Sequence, residues 1–464
     1  MSQLGVHALS LRVDRADPER LPAQIAEQIR ARIRGNALSA GARLPSSRAV
    51  AAAVGVSRAV ASAAYDQLVA EGWLEARRGA GTYVCAVRLP LVSPPVARTE
   101  SARTNPVPLD LRPGEPWTPG SASPAWRRAW RDVAQSEPPA SYPDPHGLPA
   151  LREAVAEHLA RTRGLSCTPD RVMITNGTTH GLGLLLGRHH RPGAAIAIEV
   201  PGYRSAAHAA QFAGWEPWPA RIDASGLDPD LLAEAPPEVE AVYATPSHQY
   251  PLGVLMPIDR RVGLLEWART RGAYVIEDDY DSEFRYDVSP LPTLADLDPD
   301  RVVYLGTVSK TLGAGVRLGW VVASPALIDT LAQTRERLHD FAPWPTQRAL
   351  LSLLHDGEWD RMVRAARRTY TVRDRLVAQR LSPYGRLSGV GAGIHTAILL
   401  DPAVAKTVAA EAARAGVTVA TLDESSWMSS DRDGLVIGYG NVTDGELDFA
   451  LDVIADCLAR TLAG

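Results

Sequence analysis

Six short apolar runs recur along the middle of the chain, each followed by a loop and a helical stretch. They are Arg171-Val-Met-Ile-Thr175, Ala194-Ala-Ile-Ala-Ile-Glu-Val200, Ala241-Val-Tyr-Ala-Thr245, Ala273-Tyr-Val-Ile-Glu277, Arg301-Val-Val-Tyr-Leu305 and Trp320-Val-Val-Ala323. Short apolar strands alternating with helices restrict this part of the chain to an α/β domain with a mainly parallel sheet. In such sheets ligands bind at the carboxyl ends of the strands. The residues just past each run are therefore the ones to read for chemistry.

Three of these positions are informative. After the first run comes Asn176-Gly177-Thr178-Thr179-His180, a strand-to-helix junction whose amides and hydroxyls suit a phosphate. After the fourth comes Asp278-Asp279-Tyr280-Asp281, and after the fifth Gly306-Thr-Val-Ser-Lys310-Thr-Leu-Gly-Ala-Gly-Val-Arg317. Lys310 is one of only two lysines among 49 basic residues; the other, Lys406, lies in an ordinary amphipathic helix pattern. A guanidinium stays protonated and forms no imine with an aldehyde, whereas a lysine amine does once its pKa is lowered. Pyridoxal 5'-phosphate needs an amine for its aldehyde, a carboxylate for its pyridine nitrogen, a donor for its ring oxygen and a phosphate cradle. All four are present at strand ends. Alone, Asp278-Asp279 fits a metal site or a cap, and Gly313-Ala-Gly-Val-Arg317 is a poor dinucleotide motif; the combination is far more specific than either.

The first 86 residues follow another pattern. In Pro22–Arg34, Ile25, Ile29 and Ile33 fall at i, i+4 and i+8, which predicts one apolar helical face with Pro22 in the first turn. Ser46 or Ser47 caps a short second helix that Gly55 stops, and Ser57 caps a third helix through about Glu71. Trp73-Leu-Glu-Ala-Arg77-Arg78-Gly79-Ala-Gly81-Thr-Tyr-Val84 reads as a hairpin with a basic, glycine-bearing tip. Helix, turn, helix and hairpin describe a winged helix-turn-helix domain over residues 10–86. Residues 1–90 hold twelve arginines against seven acids, a net of +5 within a chain of net −4. A basic head on an acidic body suits a polyanionic partner.

Residues 87–108 carry five prolines among Ser, Thr, Asn and Arg and read as a linker, leaving 109–464 as the ligand-binding body. The apolar stretches are too short to span a bilayer, and the amino-terminal residues lack a signal-peptide pattern. Three scattered cysteines exclude a disulfide framework and a zinc site. A cytoplasmic location, no metal and no membrane association are expected.

Leu44-Pro-Ser-Ser-Arg48, Val56-Ser-Arg58 and Glu71-Gly-Trp-Leu74, in this order, resemble the GntR class of winged-helix DNA-binding domains. The resemblance implies that Arg48 and Arg58 face double-stranded DNA, that Ser57 contacts phosphate, and that Arg78 and Gly79 enter the minor groove. Ala59-Val-Ala-Ser62-Ala-Ala offers few long side chains, so base reading rests on Arg58, Ser62 and DNA shape.

The body resembles the fold-type I aminotransferases, and head and body together resemble the MocR subgroup of GntR regulators. The markers are Glu199-Val-Pro-Gly-Tyr203, Thr245-Pro-Ser-His-Gln-Tyr-Pro-Leu-Gly253, Glu277-Asp-Asp-Tyr-Asp-Ser-Glu-Phe-Arg-Tyr286 and Thr307-Val-Ser-Lys-Thr-Leu312. By this resemblance Lys310 carries pyridoxal phosphate as an aldimine and Asp278 pairs with the ring nitrogen. Tyr280 bonds the ring oxygen, and Tyr203 stacks on the ring. Gly177, Thr178, Thr179, Thr307 and Arg317 hold the phosphate, and Tyr142 reaches into the neighbouring subunit's phosphate site, which implies a homodimer binding two half-sites.

The chain departs from the aminotransferase pattern where the substrate carboxylate is held. In Gly434-Leu-Val436-Ile-Gly-Tyr439 a valine occupies the arginine position, which argues against amino-acid transamination. The asparagine usual in the loop Ser247-His248-Gln249-Tyr250 is missing, and His395 has no assigned role and reads as structural. No catalytic residue is assigned. The reading is a transcription regulator responding to pyridoxal phosphate and controlling vitamin B6 synthesis or salvage. A regulator sensing an amino acid or amine, and an active aminotransferase, remain as alternatives.

Overall fold

A computed structural model describes residues 9, 11–15, 20–35, 37–77, 79–86, 109–118, 123–188, 193–285, 292–389, 391–429 and 432–463. The chain divides into two compact units, residues 1–103 and 104–464. The linker expected over 87–108 lies outside the described residues.

The smaller unit holds α1 (Leu21–Arg34), α2 (Ser47–Val54), α3 (Arg58–Ala70) and an antiparallel hairpin of β1 (Leu74–Arg77) and β2 (Gly81–Val84). The apolar face of α1 is the expected one: Ile25, Ile29 and Ile33 are buried with Val50, Ala61, Tyr65, Leu68 and Leu74. Each fully buried isoleucine contributes roughly 1.5–3 kcal/mol, so the isoleucine stripe anchors this small core. Ser46, not Ser47, caps α2 by accepting from the Ala49 amide, and Gly55 closes that helix in the left-handed region at φ 70°.

The larger unit is built on an eight-stranded sheet. Its members are β4 (Val172–Thr175), β5 (Ala195–Val200), β6 (Glu216–Asp223), β7 (Gly226–Leu227), β8 (Val239–Ala244), β9 (Tyr274–Asp279), β10 (Val302–Thr307) and β11 (Gly319–Val322), and the spatial order is β4-β11-β10-β9-β8-β5-β6-β7. Strands β6, β5, β8, β9 and β10 run parallel, while β11 is antiparallel to both β10 and β4. Strands β4, β5 and β8 to β11 are almost wholly buried and carry apolar clusters on both faces, as a helix-covered sheet requires. All six expected strands are present.

A second, antiparallel sheet joins β12 (Arg386–Ser388), β13 (His395–Leu400), β15 (Ala420–Thr421) and β16 (Asp433–Gly438). The short β3 (Leu109–Asp110) pairs in parallel with β14 (Val417–Thr418) and ties the first described residues of this unit to its carboxyl-terminal half. Among the described residues no helix is long and apolar enough to cross a membrane.

Candidate functional site

A cavity of about 240 Å³ opens at the carboxyl ends of the parallel strands, lined among others by Lys310, Asp278, Tyr280, Tyr203, Thr307 and Arg317. Strand geometry explains why the two consecutive aspartates diverge. Side chains alternate across a sheet, so Asp278 lines the cavity while Asp279 enters a buried ion pair with Arg163 (Nε–Oδ2 2.6 Å) and accepts from the Tyr304 hydroxyl at 2.7 Å. Asp278 belongs to the last residues of β9, pairing with Leu305, rather than to the loop beyond it. The sheet thereby fixes its position.

Asp278 accepts from the Tyr243 hydroxyl through Oδ2, and its Oδ1 has no partner among the described residues. Burial outweighs that hydrogen bond and pushes its pKa up to about 7. A buried carboxylate left half-satisfied is a place prepared for a donor that the described residues do not supply.

Lys310 lies in the loop after β10. Its Nζ donates to the Gly114 carbonyl at 2.6 Å, and burial lowers its pKa against the opposing pull of Asp281, Asp278 and Glu115. A half-buried amine with a lowered pKa spends more of its time in the neutral, nucleophilic form. The Tyr280 hydroxyl lies 3.1 Å from His248 Nδ1, which is in turn 2.8 Å from Asp281. Burial holds Tyr280 far above the ordinary phenol pKa, so it remains a donor. Tyr203 packs edge-to-face on Tyr250 at 5.5 Å.

The phosphate-suited end is formed by the amino terminus of the helix Thr178–Arg188, where Thr178 and Thr179 line the cavity. Gly177 (φ 98°) leads into it, and a Cβ there would stand 3.4 Å from the Arg317 guanidinium. That separation is ordinary contact, so it is the positive φ rather than lack of room that calls for glycine beside Arg317. Arg317 itself adopts a left-handed backbone at φ 51°, a conformation uncommon for a residue other than glycine. Thr307 Oγ1 receives the Ser309 amide and donates within the same loop.

Tyr142 is not brought to this cavity within the chain. It is 72 % exposed and stacks on Phe341 and His339. Val436 is fully buried in β16 between Ala397 and Ala420, and among the described residues Arg317 is the only arginine lining the cavity. His395, expected to be structural, lines the cavity wall with Tyr250 and Ile394. Burial, helped by His248 and Lys310, keeps its imidazole neutral. Tyr243, Ser309, Gly114 and His395 carried no functional assignment from the sequence. A tyrosine inside the apolar run of β8 was the one available signal for Tyr243.

In the smaller unit, Arg48, Ser57 and Arg58 are exposed at the starts of α2 and α3, and neither arginine has a carboxylate partner among the described residues. The Ser57 oxygen accepts from the Val60 amide, leaving its O–H free to donate outward. Ser62 is half-buried and bonds Ser47, and Gly79 takes the hairpin tip at φ 74°. Arg78 lies outside the described residues. Ser57→Ala is expected to lower the stability of this unit by about 1 kcal/mol. A urea titration of the full chain followed by a probe in residues 20–86 measures it, and an unchanged midpoint would remove the capping role.

The family model for bacterial regulatory proteins of the gntR family matches residues 21–84, and that for aminotransferase class I and II matches residues 108–426. The chain is 38% identical over 447 residues to the HTH-type pyridoxine biosynthesis transcriptional regulator PdxR of Corynebacterium glutamicum, covering 96% of this chain and 97% of that protein. It is 30% identical to the probable rhizopine catabolism regulatory protein MocR of Rhizobium meliloti, over 90% of each chain. Among solved structures, an archaeal alanine:glyoxylate aminotransferase superposes with a TM-score of 0.70 at 25% identity, over 76% of this chain and 91% of that one. A winged helix-turn-helix unit joined to an aminotransferase-like unit, in a chain that aligns over nearly its full length with regulators of the same build, belongs to the MocR subgroup of GntR-family DNA-binding transcriptional regulators.

Proposed function

We propose that this regulator binds pyridoxal 5'-phosphate through Lys310 and that the bound cofactor alters its grip on DNA, so that it controls vitamin B6 synthesis or salvage. The observation carrying this reading is the Oδ1 of Asp278, without a partner among the described residues, in the same cavity as a half-buried primary amine and with Arg317, beside the phosphate-suited loop, as the only arginine among the described lining residues. When bound, pyridoxal phosphate supplies an aldehyde that condenses reversibly with primary amines.

The residues fit that group. Asp278 would hold the proton of a ring nitrogen in a charge-assisted bond, and Tyr280 would donate to a ring oxygen. Tyr203 would cover one ring face. Thr178, Thr179 and Thr307, with Arg317 beside Gly177, would hold the phosphate. Tyr142, exposed on its own chain, would complete the phosphate site of a second subunit, making the working unit a homodimer. In the smaller unit Arg48, Ser57, Arg58 and Ser62, with Arg78 and Gly79 at the wing tip, would meet two half-sites of double-stranded DNA. Residues 10–86 would be the DNA-binding domain, 87–108 the linker and 109–464 the effector domain.

Support comes from the closeness to a regulator named for pyridoxine biosynthesis, and from the valine at position 436, which leaves an α-carboxylate without its usual partner. The test is binding of the full chain to DNA upstream of its own gene and its neighbours, titrated with pyridoxal phosphate at fixed salt because phosphate contacts are salt-sensitive. An affinity change of about tenfold is expected, within the usual range of coupling between sites. Tight binding indifferent to the cofactor would make it a fixed prosthetic group, and an amine or amino acid the signal.

A further inference from the structure

The Lys310 amine has one hydrogen-bond partner among the described residues, and that partner is a backbone carbonyl far away in sequence. Gly114 O accepts from Nζ at 2.6 Å across a separation of 196 residues. Gly114 lies in Arg112-Pro113-Gly114-Glu115-Pro116-Trp117, and Pro113 and Gly114 line the cavity. Each proline fixes its own φ, whereas Gly114 sits at φ 118°, a region open to glycine. The stretch is therefore an arch with two stiff shoulders and one pivot, and the pivot carbonyl faces the amine.

Both feet of the arch are fastened. On one side the Leu111 amide donates to Thr418 O at 2.8 Å, and Leu111 O accepts from the Gly438 amide at 2.7 Å. On the other the Trp117 amide donates to the Tyr370 hydroxyl at 2.5 Å. A Cβ on Gly438 would lie 2.6 Å from Arg112 O, and one on Gly440 would collide with Glu115 O. Both glycines bring strand β16 and the turn after it directly under the arch.

We propose that the arch Pro113–Pro116 senses whether the Lys310 nitrogen is free or condensed with an aldehyde. The inference rests on the reading of Lys310 as the cofactor's anchor. As a free amine, Nζ donates to Gly114 O. Condensation with the aldehyde of pyridoxal phosphate forms C=N and expels one water, made from the carbonyl oxygen and two nitrogen-bound hydrogens. The nitrogen would then keep at most one hydrogen, in place of the freely turning donors of the amine, and would no longer be free to serve Gly114 O. Gly114 O loses its partner in a part-buried place, and the arch relaxes about Gly114. A ligand biases a conformational equilibrium only through a difference in contacts, and this carbonyl supplies one. In chain order only residues 109–112, which include β3 and the Leu111 foot, separate the arch from residues 87–108, which lead to the DNA-binding unit.

Hydrogen–deuterium exchange on the full chain tests this, with the Leu111, Trp117 and Gly438 amides as reporters. Loss of one part-buried hydrogen-bond partner corresponds to faster exchange by roughly 5- to 30-fold. Pyridoxal phosphate is expected to produce that acceleration. Pyridoxamine phosphate, which has an amine in place of the aldehyde, is expected not to. Lys310→Ala should exchange fast without ligand, and Lys310→Gln, which keeps a donor but cannot condense, should stay slow with either ligand. Equal responses to the two ligands, or a slow Lys310→Ala, would overturn the sensor. Visible absorbance of the same samples separates the two levels of the argument. A covalent chromophore with unmoved reporters sinks the arch alone, whereas no chromophore at all sinks the anchor reading and the arch with it.

Discussion

Replacing Lys310 by alanine is expected to abolish retention of pyridoxal phosphate through a desalting column, while the wild-type chain keeps its visible absorbance. The contacts available from Asp278, Tyr280, Arg317 and the helix amino terminus remain in the variant, so weak reversible binding should persist. What disappears is the covalent link, and we expect apparent affinity to fall about 100-fold or more, the equivalent of roughly 3 kcal/mol. Lys310→Arg separates charge from chemistry. It restores a cation but forms no imine, and should retain as little cofactor as alanine. Lys406→Ala is the matched control, because the only other lysine is exposed on the helix Pro402–Arg414. In DNA titrations Lys310→Ala should bind equally with and without pyridoxal phosphate under conditions where wild type responds. A Lys310→Ala protein that still carried the chromophore after desalting would refute the assignment of this residue as anchor.

Much of this site could be read in advance because it depends on residue types that few other roles demand. One of only two lysines in an arginine-rich body, a glycine before two threonines at a strand end, and an aspartate two residues before a tyrosine each restrict the chemistry. The strands were legible where both faces are buried, since an unbroken apolar run has few other uses. Strand β6 was not: Glu216-Pro-Trp-Pro-Ala-Arg-Ile-Asp223 lies next to the sheet edge, is mostly half-exposed, and contains two prolines that argue against a strand interior. The partners that give the site its electrostatics were equally hidden. Nothing local marks Gly114 as the acceptor for Lys310, Tyr243 as the donor to Asp278, or Arg163 as the counter-ion of Asp279. Each is a contact between elements distant in sequence, set by strand order rather than by spacing. His395 shows the same limit from the other side. Its motif was visible, but only the pairing of β13 with β16 puts it in the cavity wall.

Asp278→Asn is expected to stabilise the cofactor-free protein at alkaline pH while weakening cofactor binding, a reversal that follows from the direction of one pKa. In the folded chain the Asp278 carboxyl titrates at about 7, against 3.8 when unfolded. Between these values the native state binds a proton that the unfolded state has lost, so unfolding free energy falls as pH rises. The penalty is absent below pH 4 and complete above about pH 7. A displacement of about three pH units corresponds to about 4 kcal/mol. Asparagine accepts the same bond from the Tyr243 hydroxyl and carries no charge. In urea titrations without cofactor, Asp278→Asn should therefore exceed wild type by up to that amount at pH 8, and the advantage should vanish towards pH 4. Glu277, buried and also pushed up to about 7, gives both proteins the same residual slope. Glu199, likewise raised to about 7, owes part of that rise to repulsion from Asp278, so the difference between the two curves contains the titration of Asp278 together with its coupling to Glu199, and both act in the same direction. Adding pyridoxal phosphate should invert the order. A ligand that pairs with the carboxylate stabilises wild type in proportion to its affinity, and the asparagine variant lacks the charged half of that pair. An Asp278→Asn protein less stable than wild type at pH 8 without cofactor would mean that the carboxylate is already satisfied by the chain, and is not held open for a ligand.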